Sequence, residues 1–407
     1  MPLTLSTADS ALKEFYLPAI RNQLNNDTPM LNIVEPKKVD IEGRRAILSL
    51  RVGRNSGHGA RADGGTLPTA GNQQYAEERV PLRYNYGRIQ VSGQTIKQMA
   101  SDKGAFVRAV DSETKGITED LKRDINRQLW GTSDGVIAAC GTTTAATTVV
   151  LATTTSEVQM RQFYVGMKVD IGTVAQLGAG SGGRVYGATI SAVSVSGKTI
   201  TIGSAVTTDA NDRVSIAGSG GSGASQKELT GLQTIVAATG ALHNVDPATQ
   251  PVWAATSNAN GGTNRAISEV LMAKTVHDIQ IASGEWPTHG LGSHGVIRSY
   301  ANLLMAGKRY VGTTDLKGGY SAIPFEAAGP TIPVAPDRDA PANKLHFLNV
   351  NHLSFGRASD WEWMDEDGAV LSRVSGQDAY EATLFLYADL FTDKRDSHGV
   401  LADITES

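Results

Sequence analysis

A chain of 407 residues, 40% hydrophobic and 19% charged, is ordinary in composition for a globular protein and long enough for roughly two to four lobes. Its net charge of −4 argues against a protein whose main task is gripping nucleic acid, and its single cysteine, Cys140, excludes a disulfide framework or a multi-thiolate zinc site. The opening MPLTLSTADSALKEFYLPAI lacks the basic segment and apolar run of a signal peptide, and no stretch approaches the ~18 apolar residues of a membrane span, so a soluble protein of a reducing compartment is expected.

From Ala8 to Leu24 the residues Leu12, Phe15, Tyr16, Ile20 and Leu24 fall at helical spacings, interrupted by Pro18, which predicts a short helix or two half-helices on a terminal arm, residues 1–35. The segment 36–92 reads as two strands, RRAILSLRVG and ERVPLRYNYGRIQVSG. In the second, Val80, Leu82, Tyr84 and Tyr86 alternate with Pro81, Arg83, Asn85 and Gly87. Between them lies RNSGHGARADGGTLPTAGNQQ, a glycine-rich stretch with almost nothing apolar to bury. Loops longer than about 12–15 residues are usually functional or disordered. The segment from Lys37 to Arg88 holds ten Lys or Arg against five Asp or Glu, so it is basic by five charges. An isolated two-stranded ribbon is marginal in water, so its other face is expected to be supplied from outside the ribbon.

Residues 93–135 contain a predicted helix over 101–131. Ser101 or Asp102 caps it, Gly131 ends it, and Val110, Ile117, Leu121, Ile125 and Leu129 make one narrow stripe. About 27 residues at 1.5 Å each give a strut near 40 Å long. Charge then becomes sparse. From 136 to 225 Thr, Gly, Ala, Ser and Val dominate, and MKVDIG, RVYGATISAVSV, KTITIGSAV and DRVSIAG read as short strands of a small inserted β-domain that leaves through GSGGSGAS as a flexible linker. Residues 226–340 and 341–407 mix helices with an antiparallel finish: NRAISEVLMAKTVHDIQIA is read as a helix with Ile267, Val270, Leu271, Lys274 and Ile279 near one side, and GVIRSYANLLMAGKRYV as a strand running into a helix. NKLHFLNVNHLSFGR, WEWMD, AVLSRV and YEATLFLYADLFTDKR supply closing strands, giving an α+β class.

The motifs that suggest chemistry lack their structural setting. GAGSGG and GSGGSG match the dinucleotide glycine pattern, but the first runs into a strand and the second into a linker, whereas the pyrophosphate needs a strand–turn–helix. SGKT at 196–199 lies between strands, and GTSDG at 131–135 follows a helix, with no partner histidine for Ser133. His289 and His294 have no third ligand, and MDEDG lacks calcium-loop spacing. A non-enzyme without cofactor or metal is expected.

The order of segments resembles the major capsid proteins of tailed phages, the Hong Kong 97-type fold. GAFVRAVDSETKGITEDLKRDINRQLWG is similar to that family's spine helix, and ELTGLQTIV with NRAISEVLMAK to the start of its axial domain. GVIRSYANLLMAGKRYVG is similar to the inner strand and helix. LKGGYSAIPFEAAGPTIPVAPDRDAPANKLHFLNVNHLSF resembles the return to the peripheral domain, and WMDEDGAVLSRVSGQDAYEATLFLYADLFTDKRDSHGVLADI the closing segment. Residues of about 136–225 stand outside the likeness. The resemblance implies an arm (1–35), an E-loop ribbon (36–92), a peripheral domain in two parts (93–135 and 341–407) and an axial domain (226–340). It implies pentamers and hexamers in an icosahedral virion head around double-stranded DNA that is not read by sequence, with assembly in the host cytoplasm. Partners would be a scaffolding protein, a portal and a decoration protein. The neighbouring subunit would be the ribbon's missing face, touched by Arg54, Arg61, Arg79, Arg83, Tyr84 and Tyr86, with Glu113, Asp120 or Asp124 of its spine helix opposite them. Some relatives crosslink a ribbon lysine; here no lysine occurs between Lys38 and Lys97, so a shell would hold by noncovalent contacts. The alternatives are an encapsulin-like compartment, against which the β insertion weighs, and a β-rich adhesion protein, against which the missing secretion signal weighs.

Overall fold

The computed structural model describes residues 27–94, 103–306, 314–316, 320–365 and 370–407. The expected helix at Ala8–Leu24, the cap at Ser101 or Asp102 and most of the MDEDG turn lie outside the described residues, and Val110 outside the described side chains.

The described chain opens with a short helix α1 (Pro29–Val34), started by a proline whose missing N–H costs nothing in the first turn. Met30, Leu31, Ile33 and Val34 are buried, so residues 29–34 are core. After β1 (Lys38–Asp40), strands β2 (Arg45–Gly53) and β3 (Gln74–Pro81) pair antiparallel from Arg45↔Pro81 to Gly53↔Gln74. The alternation of sequence does not continue in one strand: β3 stops at Pro81 and β4 (Arg83–Ser92) starts a different pairing. The break shifts the phase. Val80 and Leu82 face inward, but beyond them Asn85, Gly87 and Ile89 do, and Tyr84 and Tyr86 are turned out at 53% and 52% exposure.

The ribbon's second layer also differs from expectation. Leu50 and Val52, with Leu48 and Ala76 beside them, join the core that contains Leu242, Val245 and Trp253. The body of the chain therefore covers one face of its own ribbon, because two strands alone bury too little to stand free. Only the face carrying Ile47 and Tyr75, 59% and 68% exposed, remains open.

Helix α2 (Lys103–Leu129) is the predicted strut. Leu121, Ile125 and Leu129 are buried, and the stripe lies over β4 at Gly87, where a Cβ would stand 2.9 Å from Ile117. Its last turn is tied to the N-terminal segment: Asn126 accepts from the Leu31 N–H at 3.1 Å and donates to Asp339 at 2.7 Å.

The chain then makes an excursion that begins and ends at one point. Gly131 and Gly231 pack backbone to backbone so closely that a Cβ on Gly231 would overlap the Gly131 carbonyl, and the Gly231 N–H donates to Ser133 Oγ at 3.1 Å. Ser133 thus serves the helix-end turn, with φ of 68°. Inside the excursion β5 (Val136–Ala139), β6 (Thr143–Val150), β7 (Lys168–Gly172), β8 (Val185–Ser194), β9 (Thr199–Thr208) and β10 (Arg213–Ile216) form one sheet in the order β5-β10-β7-β8-β9-β6. The four strands read from sequence are β7–β10. The threonine-rich run that becomes β6 carries a weaker signal, because short polar side chains alternate without contrast. Ile137, Val149, Met160, Val169, Ile190 and Ile200 close a core of this unit alone. The glycine–serine run is packed rather than free over Gly218–Gly221. The Gly218 N–H donates to Asp170 at 2.7 Å and the Gly221 N–H to the Asp134 carbonyl at 3.0 Å, and a Cβ on Gly220 would press on Leu177 at 2.7 Å. A unit with a private sheet and core should fold alone: residues 136–225 expressed separately should give a β-type circular dichroism spectrum and one cooperative melt. A non-cooperative melt would show that it needs the rest of the chain.

The remainder builds two further sheets. β11 (Thr256–Asn258), helix α3 (Glu269–Ser283), β12 (His289–Gly292), helix α4 (His294–Ala306), β13 (Thr314–Leu316), β14 (Tyr320–Phe325), β15 (Ile332–Pro336) and β16 (Leu345–Leu348) come first. Then follow β17 (Leu353–Arg357), β18 (Glu362–Trp363), β19 (Ser372–Arg373), β20 (Ala379–Thr392) and β21 (Gly399–Leu401). One sheet runs β11-β21-β16-β12-β15-β14-β13; in the other the long β20 pairs with β4, β17, β18 and β19, and β1 adds beside β17. Helices α3 and α4 bury Met272, Val276, Ile279, Val296 and Tyr300 among Phe325, Val334 and Phe347. The buried stripe of α3 is Met272, Thr275, Val276 and Ile279, at i, i+3, i+4 and i+7; Val270, 78% exposed, and Lys274 lie outside it, which corrects the face read from sequence. The strand before α4 is HGLG, and GVIRS already belongs to the helix, whose first turn is held by Ser293 Oγ accepting from Val296 N–H at 3.3 Å.

Candidate inter-subunit interface

The ribbon presents an open face, a projecting loop and a basic root. The loop, residues 54–73, buries no side chain, and its polar contacts close on itself apart from Gln73 Oε1, which accepts from Arg51 Nε of β2 at 2.8 Å. Asn55 Nδ2 donates to the Gly71 carbonyl at 2.7 Å and Oδ1 accepts from Gly57 N–H at 2.6 Å, a clasp that needs the two glycines because a Cβ on either would strike Asn55. Arg61 turns back to the Thr66 and Ala60 carbonyls, both at 2.9 Å, and Leu67 stands 82% exposed at the tip. Arg54 is exposed at the loop's start.

At the root, Arg44, Arg45, Arg79, Arg83, Tyr84 and His243 line a groove of about 490 Å³. Arg79 pairs with Glu77 at 3.0 Å, both largely exposed. Arg83 is engaged inside the subunit: it donates to the Gln226 carbonyl and lies 4.0 Å from the buried Asp389. Tyr84 and Tyr86 stand edge-on to Tyr387 of β20, with centroids at 4.9 and 5.9 Å, and Phe385 lies 4.9 Å from the same ring. Together they make an aromatic patch on the outer side of the sheet. The sequence pointed to Tyr84 and Tyr86 but not to Tyr387 or Phe385, since cross-strand pairing is needed to bring them together. Ile47 and Tyr75 were also missed, although the period-two alternation of RRAILSLRVG sets Ile47 opposite in phase to Leu48 and Leu50.

On α2, Glu113 and Asp120 are exposed, and burial pushes the Asp120 carboxyl up against the pull of Arg123. Asp124 is used within the subunit, accepting from Arg127 Nε at 2.8 Å and Gln128 Nε2 at 2.7 Å. The structure thus leaves Arg54, Arg61, Arg79, Tyr84, Tyr86, Glu113 and Asp120 exposed, Arg61 and Arg79 with partners on the ribbon itself, while Arg83 and Asp124 are engaged with other parts of their own chain. Among the described residues no group of three or more His, Cys, Asp or Glu could hold a metal, and no helix is long and apolar enough to cross a membrane.

No family model matches the sequence, and no curated protein is similar to it. Solved structures are. A chain of the cyanophage A-1(L) capsid asymmetric unit is 18% identical, with 99% of this chain and 100% of that one covered, at a TM-score of 0.63. The fold is that of a phage capsid protein. The capsid of a native GTA particle is 10% identical, covering 100% of both chains at 0.54, and that of an empty GTA particle is 10% identical, covering 99% of both at 0.54. The likeness spans 99–100% of the chain, and these neighbours are structural proteins rather than enzymes.

Proposed function

We propose that this chain is the major capsid protein of a tailed phage, with the Hong Kong 97-type fold, and that it assembles through pentamers and hexamers into an icosahedral head enclosing double-stranded DNA. The observation that carries this reading is the end-to-end likeness to a cyanophage capsid chain. In this reading β2 and β3 with their loop are the E-loop, and α2 is the spine helix. The exposed Ile47, Tyr75 and Leu67, with Arg54, Arg61 and Arg79, lie on a neighbouring subunit near its Glu113 and Asp120; the Tyr84–Tyr86 patch adds a second contact. Exposed ion pairs contribute only about 0–1 kcal/mol each, so the apolar members carry the affinity and the charges set the register. Residues 136–225 are an inserted domain on the outer face, since they offer few basic groups to phosphate. Scaffolding, portal and decoration proteins are the expected partners.

Negative-stain images of purified particles, with the ratio of nucleic-acid to protein absorbance, test this. Closed shells carrying DNA are expected from infected or lysogenic cells. Closed shells filled with protein would point to an encapsulin-like compartment, and a monomer under all salt and scaffold conditions would sink the capsid reading.

A further inference from the structure

A buried polar chain crosses the joint between the ribbon and the subunit body. Glu78 of β3 has no side-chain exposure and His243 only 5%. His243 Nδ1 lies 2.7 Å from Glu78 Oε1, its Nε2 lies 3.0 Å from Thr230 Oγ1, and Thr230 Oγ1 lies 3.1 Å from Asp389 Oδ2 of β20. The Arg79 N–H also donates to the His243 carbonyl at 2.9 Å. His243 and Asn244 form a tight turn with φ of 47° and 76°, closed by paired bonds between Leu242 and Val245. Positive φ is uncommon for residues other than glycine, and histidine and asparagine are among the types that adopt it most readily.

We propose that Glu78, His243, Thr230 and Asp389 form a one-proton latch that docks the ribbon on its own subunit, and that losing the proton loosens the ribbon while the body stays folded. The reason is a count of hydrogens. Three gaps need three donors: the Glu78 carboxyl O–H, the His243 Nε2–H and the Thr230 O–H. Remove one proton to solvent and two hydrogens must serve three gaps, so one pair of acceptors is left face to face in a buried site.

The surroundings oppose any additional charge. Burial pushes Glu78 up to about 8, with Asp393 adding to the rise and Arg395 opposing it. Burial pushes His243 down to about 4, against Asp389 and with Arg83 and Arg395. Asp389 is raised by burial, against His243, the Thr230 N–H, Arg83 and the Leu390 N–H. The guanidinium of Arg395 is itself held by the carbonyls of Ile235, Gly240 and Thr234 and faces Asp246. The sign follows from linkage. Between the open-state values of 4.5 for Glu78 and 6.5 for His243 the two residues shift docking in opposite senses and cancel; from 6.5 to about 8 only Glu78 acts, and docking weakens with rising pH.

Hydrogen exchange of the full chain, corrected for the intrinsic pH dependence of amides, reads this in the subunit whether or not shells form. Protection of 45–53 and 74–81 should fall about tenfold per pH unit from about 6.5 to 8 and then level, while amides around Ile125 do not change. Glu78→Gln, which keeps a donor but cannot ionise, should abolish that slope. In nitrogen NMR the His243 ring of docked molecules should change from Nε2–H to Nδ1–H around pH 8, where Glu78 loses its proton, a readout that needs no variant. Flat ribbon protection in the wild type, the same slope in Glu78→Gln, or a ring that keeps Nε2–H throughout would each overturn the latch.

Discussion

A variant lacking residues 56–71 should melt at the wild-type temperature or slightly above it and form no closed shells. The deletion removes only side chains that the subunit does not bury, and bonds such as Asn55 to Gly71 that close within the loop. It joins Asn55 to Asn72, leaving Arg54, Asn55, Asn72 and Gln73 between the paired Gly53 and Gln74, a four-residue connection of ordinary hairpin length. Shortening the loop lowers its closure entropy and should stabilise the subunit by about 1 kcal/mol. Calorimetry with sedimentation separates the outcomes. Loss of the subunit fold would mean that the loop packs internally, and normal shells would remove the loop from the interface.

Arg127→Met should be the most damaging single change in the body. Arg127 reaches from the last turn of α2 to Glu228 with two bonds, at 3.2 and 2.5 Å, and to Asp124 at 2.8 Å, with Glu228 only 3% exposed. Burial works against the guanidinium's charge, but Asp124 and Glu228 outweigh it and raise its pKa, while burial raises Glu228 and Arg127 draws it back. Removing the cation leaves a buried carboxylate without its counter-charge, a loss of about 3–5 kcal/mol. The double change Arg127→Met with Glu228→Met should recover most of it, because an apolar pair of similar volume is close to neutral. Urea unfolding measures both; a single-variant loss below about 1 kcal/mol would show that water reaches the pair.

Much of this architecture was legible without coordinates because its signals are local. A 27-residue helix with one stripe needs only a 3.6-residue period, and Lys103–Leu129 is that helix. Strands β7–β10 announce themselves by alternation and glycine turns, and a loop with almost no apolar residues has little to bury. Where the pattern failed, a neighbour decided. The α3 face was misread because Val270 and Lys274 are compatible with either side until the sheet beneath chooses Met272, Val276 and Ile279.

Residue type and spacing along the chain were enough to set the order of segments, the basic ribbon, the strut helix and the change of composition at 136. Only the tertiary structure decided that the ribbon leans on its own subunit, that the strand breaks at Leu82 and turns Tyr84 and Tyr86 outward beside Tyr387, and that Arg83 and Asp124 are spent internally. The Glu78–His243–Thr230–Asp389 chain belongs there too. Its bonded neighbours lie 13, 159 and 165 positions apart, and burial of a polar side chain depends on what folds over it, which no local spacing records.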